Sequence, residues 1–266
     1  MIDYSFSYND LEFFLLIFVR MSCFIVTAPF FSMNSVPRRF KAGLAFFISV
    51  VIYTSVLDHE VIVYQSVVSF AIIVLKEAIA GLAIGFGANI CLSILALAGK
   101  IADMEIGLSM VQMFDPMTKD QTGFMGSIYQ YGIMLILFVT NMHHYILRAF
   151  IESYKLIPIN GVKFASEKIV DTIIRFLIDY VSIGFRFCLP VVAAIMLLNA
   201  LLGVLAKTAP QMNMFAVGIQ LKILVGFTVI VLTIGLLPSL SDILFREMDS
   251  VMQLVMNSMM SINPGF

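Results

Sequence analysis

The chain has 266 residues, 61% of them hydrophobic and only 12% charged, with a formal net charge of −1. A soluble domain carries about a quarter charged residues, and the mean hydropathy here is +1.00. Composition therefore excludes an ordinary soluble domain and points to a polytopic membrane protein. The near-zero net charge and the lack of a basic run argue against nucleic acid as a partner.

The N-terminal stretch "MIDYSFSYNDLEFF" lacks the basic segment of a cleaved signal peptide. The first apolar run, about 11–31, is therefore expected to be retained; Arg20 interrupts it and Pro29 lies near its end. The polar turn "SMNSVPRRFK" leads to a second run at 42–57, short for a span of about 20 residues. The third run, 61–98, is apolar except for Gln65, Lys76, Glu77 and Asn89. As one helix it would be about 57 Å long, against about 30 Å for a bilayer core. It is expected either to be two segments or to be a kinked helix protruding beyond the hydrocarbon. Within it, Gly81 and Gly85 form a small-xxx-small face suited to close helix contact.

The stretch "MEIGLSMVQMFDPMTKDQTGF" follows. It is too polar to span, yet it carries Met110, Met113, Phe114 and Met117, and Asp115-Pro116 breaks it. A fourth run is expected at 128–147, then a long amphipathic stretch of mixed charge at 148–180. The fifth run, about 181–206, contains Arg186 and Pro190; "KTAPQMN" separates it from a last run, about 214–240, holding Gln220 and Lys222. A short, Met-rich tail closes the chain.

Charge gives no clean topology. An outside N-terminus fits the basic turn at 38–41 inside, but strict alternation then places the Lys/Arg-bearing 148–175 segment outside, against the positive-inside tendency. Arg20, Lys76, Glu77, Arg186 and Lys222 all interrupt apolar runs, where exposure to lipid is costly. Such residues normally face a protein partner or an aqueous path. Lys76 and Glu77 are expected to pair with each other or with charges on partner subunits. The helices are accordingly expected to pack mainly against other protein chains.

Motifs for catalysis are missing. There is no His-Glu-x-x-His, no Gly-x-Ser-x-Gly and no Walker sequence. The adjacent His143-His144 pair would not jointly grip a metal easily, because neighbouring helix positions point about 100° apart. Asp103 and Asp115 are unconstrained as an aspartyl pair. Cys23, Cys91 and Cys188 are scattered in apolar runs and read as small buried hydrophobes. Neither an enzymatic activity nor a cofactor or metal is expected. A stand-alone secondary solute or ion carrier is the alternative; carriers usually show two related halves, and no convincing repeat is found.

The blocks "LAGKIADMEIGLSMVQMFDP", "LFVTNMHHYILRAFIESYKLIP" and "APQMNMFAVGIQLKILVG", in this order and spacing, resemble the FliR family of flagellar biosynthetic membrane proteins of type III export. The resemblance extends from "FLLIFVRMSCFIVTAPFFS" onward and includes "LKEAIAGLAIGF". It implies an all-α fold with long kinked helices. A FliP-like region at 1–206 would be followed by a FliQ-like helical hairpin that begins about 181, with 207–266 its end and the tail. The subunit would form part of a helical cone with FliP-like and FliQ-like membrane subunits and an FlhB-like switch protein. Unfolded flagellar cargo would pass through the centre, at the inner membrane of the flagellar basal body.

The resemblance also implies that the loop at about 106–122 plugs the closed channel. Met110, Met113 and Phe114 would project into the passage, with Asp115 in the loop and Gly107 and Pro116 shaping its turn. Flexible thioether and aromatic groups can seal a narrow gap and yield to a passing peptide. Pro210, Asn213 and Gly218 would shape the connection between the two final helices. Glu77 is also considered for proton conduction, although assembly is the favoured role. Of Asp103 and Glu105, one is expected to matter more, and the sequence does not say which.

Overall fold

The computed structural model describes residues 8–33, 35–55, 62, 64, 66–109, 123–163, 166–209, 211 and 213–260. Among these, every regular element is helical: α1 (Tyr8–Thr27), α2 (Arg38–Ser55), α3 (Val67–Ile106), α4 (Phe124–Val139), α5 (Met142–Leu156), α6 (Ser166–Thr208), α7 (Met214–Thr233), a 3₁₀ turn (Ile234–Leu236) and α8 (Leu237–Met259). Val67–Ile106, Lys168–Thr208 and Phe215–Met259 are long and apolar enough to cross a membrane; α4 and α5 make a fourth candidate if counted as one broken span. The chain is a multi-pass helical membrane protein.

Of the two forms expected for the third run, the single helix is the one observed. The 40 residues of α3 cover about 60 Å. The fourth run is not continuous. The Thr140 side chain and its backbone N–H both donate to the Ile136 carbonyl at 2.8 Å, and Asn141 adopts a left-handed φ of 58°. Asn tolerates that conformation better than most residues, so the helix stops inside an apolar run. Conversely, the amphipathic residues 166–180 and the fifth run belong to one 43-residue helix, α6, which continues through Pro190. Proline at 190 removes the N–H that the Arg186 carbonyl would accept.

The expected tail is instead the second half of α8. Met248, Met252, Met256 and Met259 recur at helical spacing and are all buried, so the methionines line one packed stripe. Asn213 caps α7, its side chain accepting from the Ala216 N–H at 3.4 Å.

The described chain forms two compact units, which interleave in sequence. The first comprises residues up to 90, 141–176 and from 246 onward. In it, α1 packs on α2 through Phe14, Phe18, Phe46 and Tyr53, and Phe24 stacks on Phe150 of α5 at 3.8 Å. Gly81 and Gly85 set the contact of α1 with α3. A Cβ at Gly81 would lie 2.1 Å from the Arg20 carbonyl oxygen, and one at Gly85 2.2 Å from Thr27 Oγ1 and 2.8 Å from the Phe24 oxygen.

The second unit comprises residues 91–140 and 177–245. Here α3 meets α4 where Gly99 crosses Gly126, and a Cβ at Gly99 would fall 2.1 Å from the Gly126 backbone. Gly184 of α6 rests on Leu97, and Gly226 of α7 on Ile106.

Candidate functional site

The expected plug residues Met110, Met113, Phe114, Asp115 and Pro116 lie outside the described residues, as does Pro210. What the structure does describe is the stem from which the loop departs and to which it returns. Gly107 ends α3 with a φ of +92°, a left-handed backbone that glycine adopts without strain. Its N–H returns to the Asp103 carbonyl at 3.0 Å.

Asp103 is 1% exposed. Both of its carboxylate oxygens accept from the backbone N–H of Met125, at 3.2 and 3.3 Å. Met125 lies in the first turn of α4, where backbone N–H groups have no partner within the helix and the helix dipole favours negative charge. A carboxylate from the end of α3 therefore caps the start of α4. Together with the Gly99–Gly126 crossing, it pins both ends of the intervening segment. Between Asp103 and Glu105, this identifies Asp103 as the acidic residue with a defined partner. Sequence gave no signal for it, because that partner is a backbone group.

Beside the stem lies a largely apolar groove of about 410 Å³ lined by Met104, Ile106, Gly107, Leu202, Phe215 and Lys222, among others. Lys222, expected near the start of the last helix, sits in α7 within this groove and is half-buried. Gly218 also lines it; a Cβ there would meet Leu202 at an ordinary 3.5 Å. Gly218 is thus not a position that the contact requires to be glycine.

The first unit holds a second constellation. Arg20 and Glu77 are both fully buried and form an ion pair through Arg20 Nε and Glu77 Oε2. Arg20 Nη1 donates to the Ile157 carbonyl at 2.9 Å, and its guanidinium lies over the Tyr154 ring, 4.5 Å from the centroid. The Tyr154 hydroxyl donates to the Ile17 carbonyl at 3.0 Å, and the Asn160 N–H donates to Glu77 Oε1 at 3.0 Å. Charges on α1 and α3 thereby fasten the turn that follows α5.

Glu77 consequently does not pair with Lys76, as one of the sequence readings had it. Adjacent helix residues diverge by about 100°, which leaves Lys76 half-buried on another side of α3. Arg186 is exposed on α6, beside a small groove in the second unit.

Long apolar helices, a capped loop stem and a buried charge pair define a polytopic helical membrane protein whose connector is held at both ends. Residues 11–248 match the model of the family described as Bacterial export proteins, family 1. The flagellar biosynthetic protein FliR of Bacillus subtilis (strain 168) is 30% identical over 226 residues, covering 84% of this chain and 86% of that protein. FliR of Escherichia coli (strain K12) is 26% identical over 88% of each chain. FliR of Aquifex aeolicus (strain VF5) is 24% identical over 93% of this chain and 95% of its own length. The chain belongs to this family, the FliR family of bacterial export proteins.

Proposed function

We propose that the chain is a pore-forming, non-catalytic subunit of the flagellar type III protein export gate, resident in the inner membrane at the basal body. Family membership across residues 11–248 supports a role in flagellar protein export. The alternative of a stand-alone carrier finds no support, since the relatives above are flagellar biosynthetic proteins. In this reading residues 1–206 form a FliP-like region and the segment from about 181 to the end a FliQ-like hairpin and tail. FliP-like and FliQ-like subunits complete a helical cone, an FlhB-like protein joins at the cytoplasmic side, and unfolded flagellar subunits pass through the centre.

The observation that carries the mechanism is the stem. Asp103 on the Met125 N–H and Gly99 against Gly126 hold together the helices on either side of the proposed loop at 106–122, which supports this reading. A loop anchored at both ends can yield in its middle without detaching. Met110, Met113 and Phe114 are assigned to the seal, with Asp115 and Pro116 in the same loop.

Neighbouring subunits also account for the apolar surface. In the most apolar window of Phe215–Met259 only 11% of residues are buried within the chain, and in that of Lys168–Thr208 only 17%. Lys76 and Lys222 are assigned to contacts with those subunits.

Replacing Met110, Met113 and Phe114 together by glycine tests the seal. The expected result is an increased ion leak across the cell membrane together with altered export. Unchanged leak and unchanged secretion would refute the plug.

A further inference from the structure

We infer that Asn160 is a site of spontaneous covalent modification, conversion of its side-chain amide to aspartate and isoaspartate, and that Glu77 of the buried pair governs how fast it proceeds. The inference rests on the fold of the first unit and not on a role in export.

Three observations carry it. The first is the sequence. Asn160-Gly161 is the one Asn-Gly pair in the chain. Asparagine is among the thermolabile residues, and a following glycine has no Cβ to shield the nitrogen that attacks it. The backbone nitrogen of Gly161, once it has given its proton to water, attacks Cγ of Asn160. The bond to the side-chain amide nitrogen breaks and ammonia leaves, closing a succinimide ring. Water then opens the ring at either carbonyl and yields aspartate or isoaspartate. The net change is amide plus water to acid plus ammonia, with no oxidant or reductant.

The second is exposure. Asn160 lies in the turn after α5, is exposed, and has a left-handed φ of 67°. The residue therefore meets the water that the reaction consumes.

The third is restraint. The Gly161 N–H donates to the Pro158 carbonyl at 2.9 Å, and the Asn160 N–H donates to Glu77 Oε1 at 3.0 Å. Glu77 is itself fully buried and paired with Arg20, which also donates to the Ile157 carbonyl. The nitrogen that must attack is thus engaged as a donor in a tethered turn, and ring closure requires the turn to open first. The rate follows the population of the open turn, which the Glu77 bond holds down. Isoaspartate adds one carbon to the backbone between residues 160 and 161. Either product brings a second carboxylate to a turn whose N–H already faces Glu77, so the modified turn is held less well.

The test uses the full-length chain with its co-purifying subunits, held in mildly alkaline buffer. Trypsin, cutting after Lys155 and Lys163, releases the peptide 156–163, in which Asn160 is the only asparagine. Mass spectrometry reads the change from amide to acid, and chromatography separates the aspartate and isoaspartate forms. The same peptide, made synthetically, gives the unrestrained rate. Wild type should convert at least about tenfold more slowly than the free peptide, the factor expected of one hydrogen bond to a charged acceptor. E77Q should convert about tenfold faster than wild type, because the charge on that acceptor is lost. N213A, which weakens a cap in the second unit and leaves the turn intact, should convert at the wild-type rate.

A wild-type rate equal to that of the free peptide would overturn the restraint. An E77Q rate equal to that of wild type would overturn the role of Glu77. Equal acceleration in E77Q and N213A would assign the control to global unfolding and also overturn it. The comparison of wild type with the free peptide needs no variant, and it decides the matter should E77Q fail to fold.

Discussion

Removing the Glu77 carboxylate tests how the first unit is held together. Glu77→Ala takes the counter-charge from Arg20 and the acceptor from the Asn160 N–H, at a site where both charged side chains are fully buried. Water cannot replace either partner without opening the contact of α1, α3 and the turn after α5. Loss of one partner of a buried pair costs about 3–5 kcal/mol, a large part of the total stability of a typical domain. Glu77→Gln keeps an oxygen for Asn160 and should cost less, about 2 kcal/mol. Replacing both charges, Arg20→Met with Glu77→Leu, removes the uncompensated ion. It should be near neutral to about 4 kcal/mol more stable than wild type. The assay is reversible unfolding of the purified chain in mixed micelles as the SDS fraction rises, run as a double-mutant cycle. Additive losses in the double variant, or a Glu77→Ala cost under about 1 kcal/mol, would refute the view that the two charges form one buried unit.

Glycine substitutions should split by the space around each. Gly81→Ala and Gly99→Ala, whose Cβ atoms would fall 2.1 Å from backbone, should each lower stability by about 1–3 kcal/mol in thermal unfolding. Gly203→Ala, in open space on α6, should raise it by about 0.5–1 kcal/mol. Asn213→Ala should cost about 1 kcal/mol through loss of the α7 cap, read by the same assay. Asp103→Ala should release the start of α4 and cost about 0.5–2 kcal/mol. It should also increase ion leak in cells, whereas Glu105→Ala, which lacks that backbone contact, should leave leak unchanged.

The helical class and the membrane character were legible from hydropathy alone. So was the Gly81/Gly85 contact face, because its four-residue spacing is local. Arg20 and Glu77 were each conspicuous as charges in apolar runs, but the bond between them joins positions 57 apart, and one sequence carries no sign of that partnership. The Asp103 cap was hidden for a different reason: its partner is the N–H of Met125, and any residue other than proline would supply the same donor. Hydropathy also misplaced helix ends. It read through the break at Thr140–Asn141, which is made by a side-chain bond and a left-handed residue. It divided α6 at 180, although the change there is from amphipathic to apolar and the backbone hydrogen bonding continues. Met248, Met252 and Met256 fall in the stretch expected as a short, Met-rich tail, and their shared buried face depends on the helix α8 that carries them.

The role in export is tested most directly by photo-crosslinking in living cells. A photoreactive amino acid at Met113 or Phe114 is irradiated while a flagellar export substrate, fused to a domain that does not unfold, is stalled in the gate. A crosslink from each position to the stalled substrate, lost when the substrate is withheld, is the expected result. If neither position reaches the substrate while the stalled intermediate is demonstrably present, the assignment of this loop to the protein-conducting passage is contradicted.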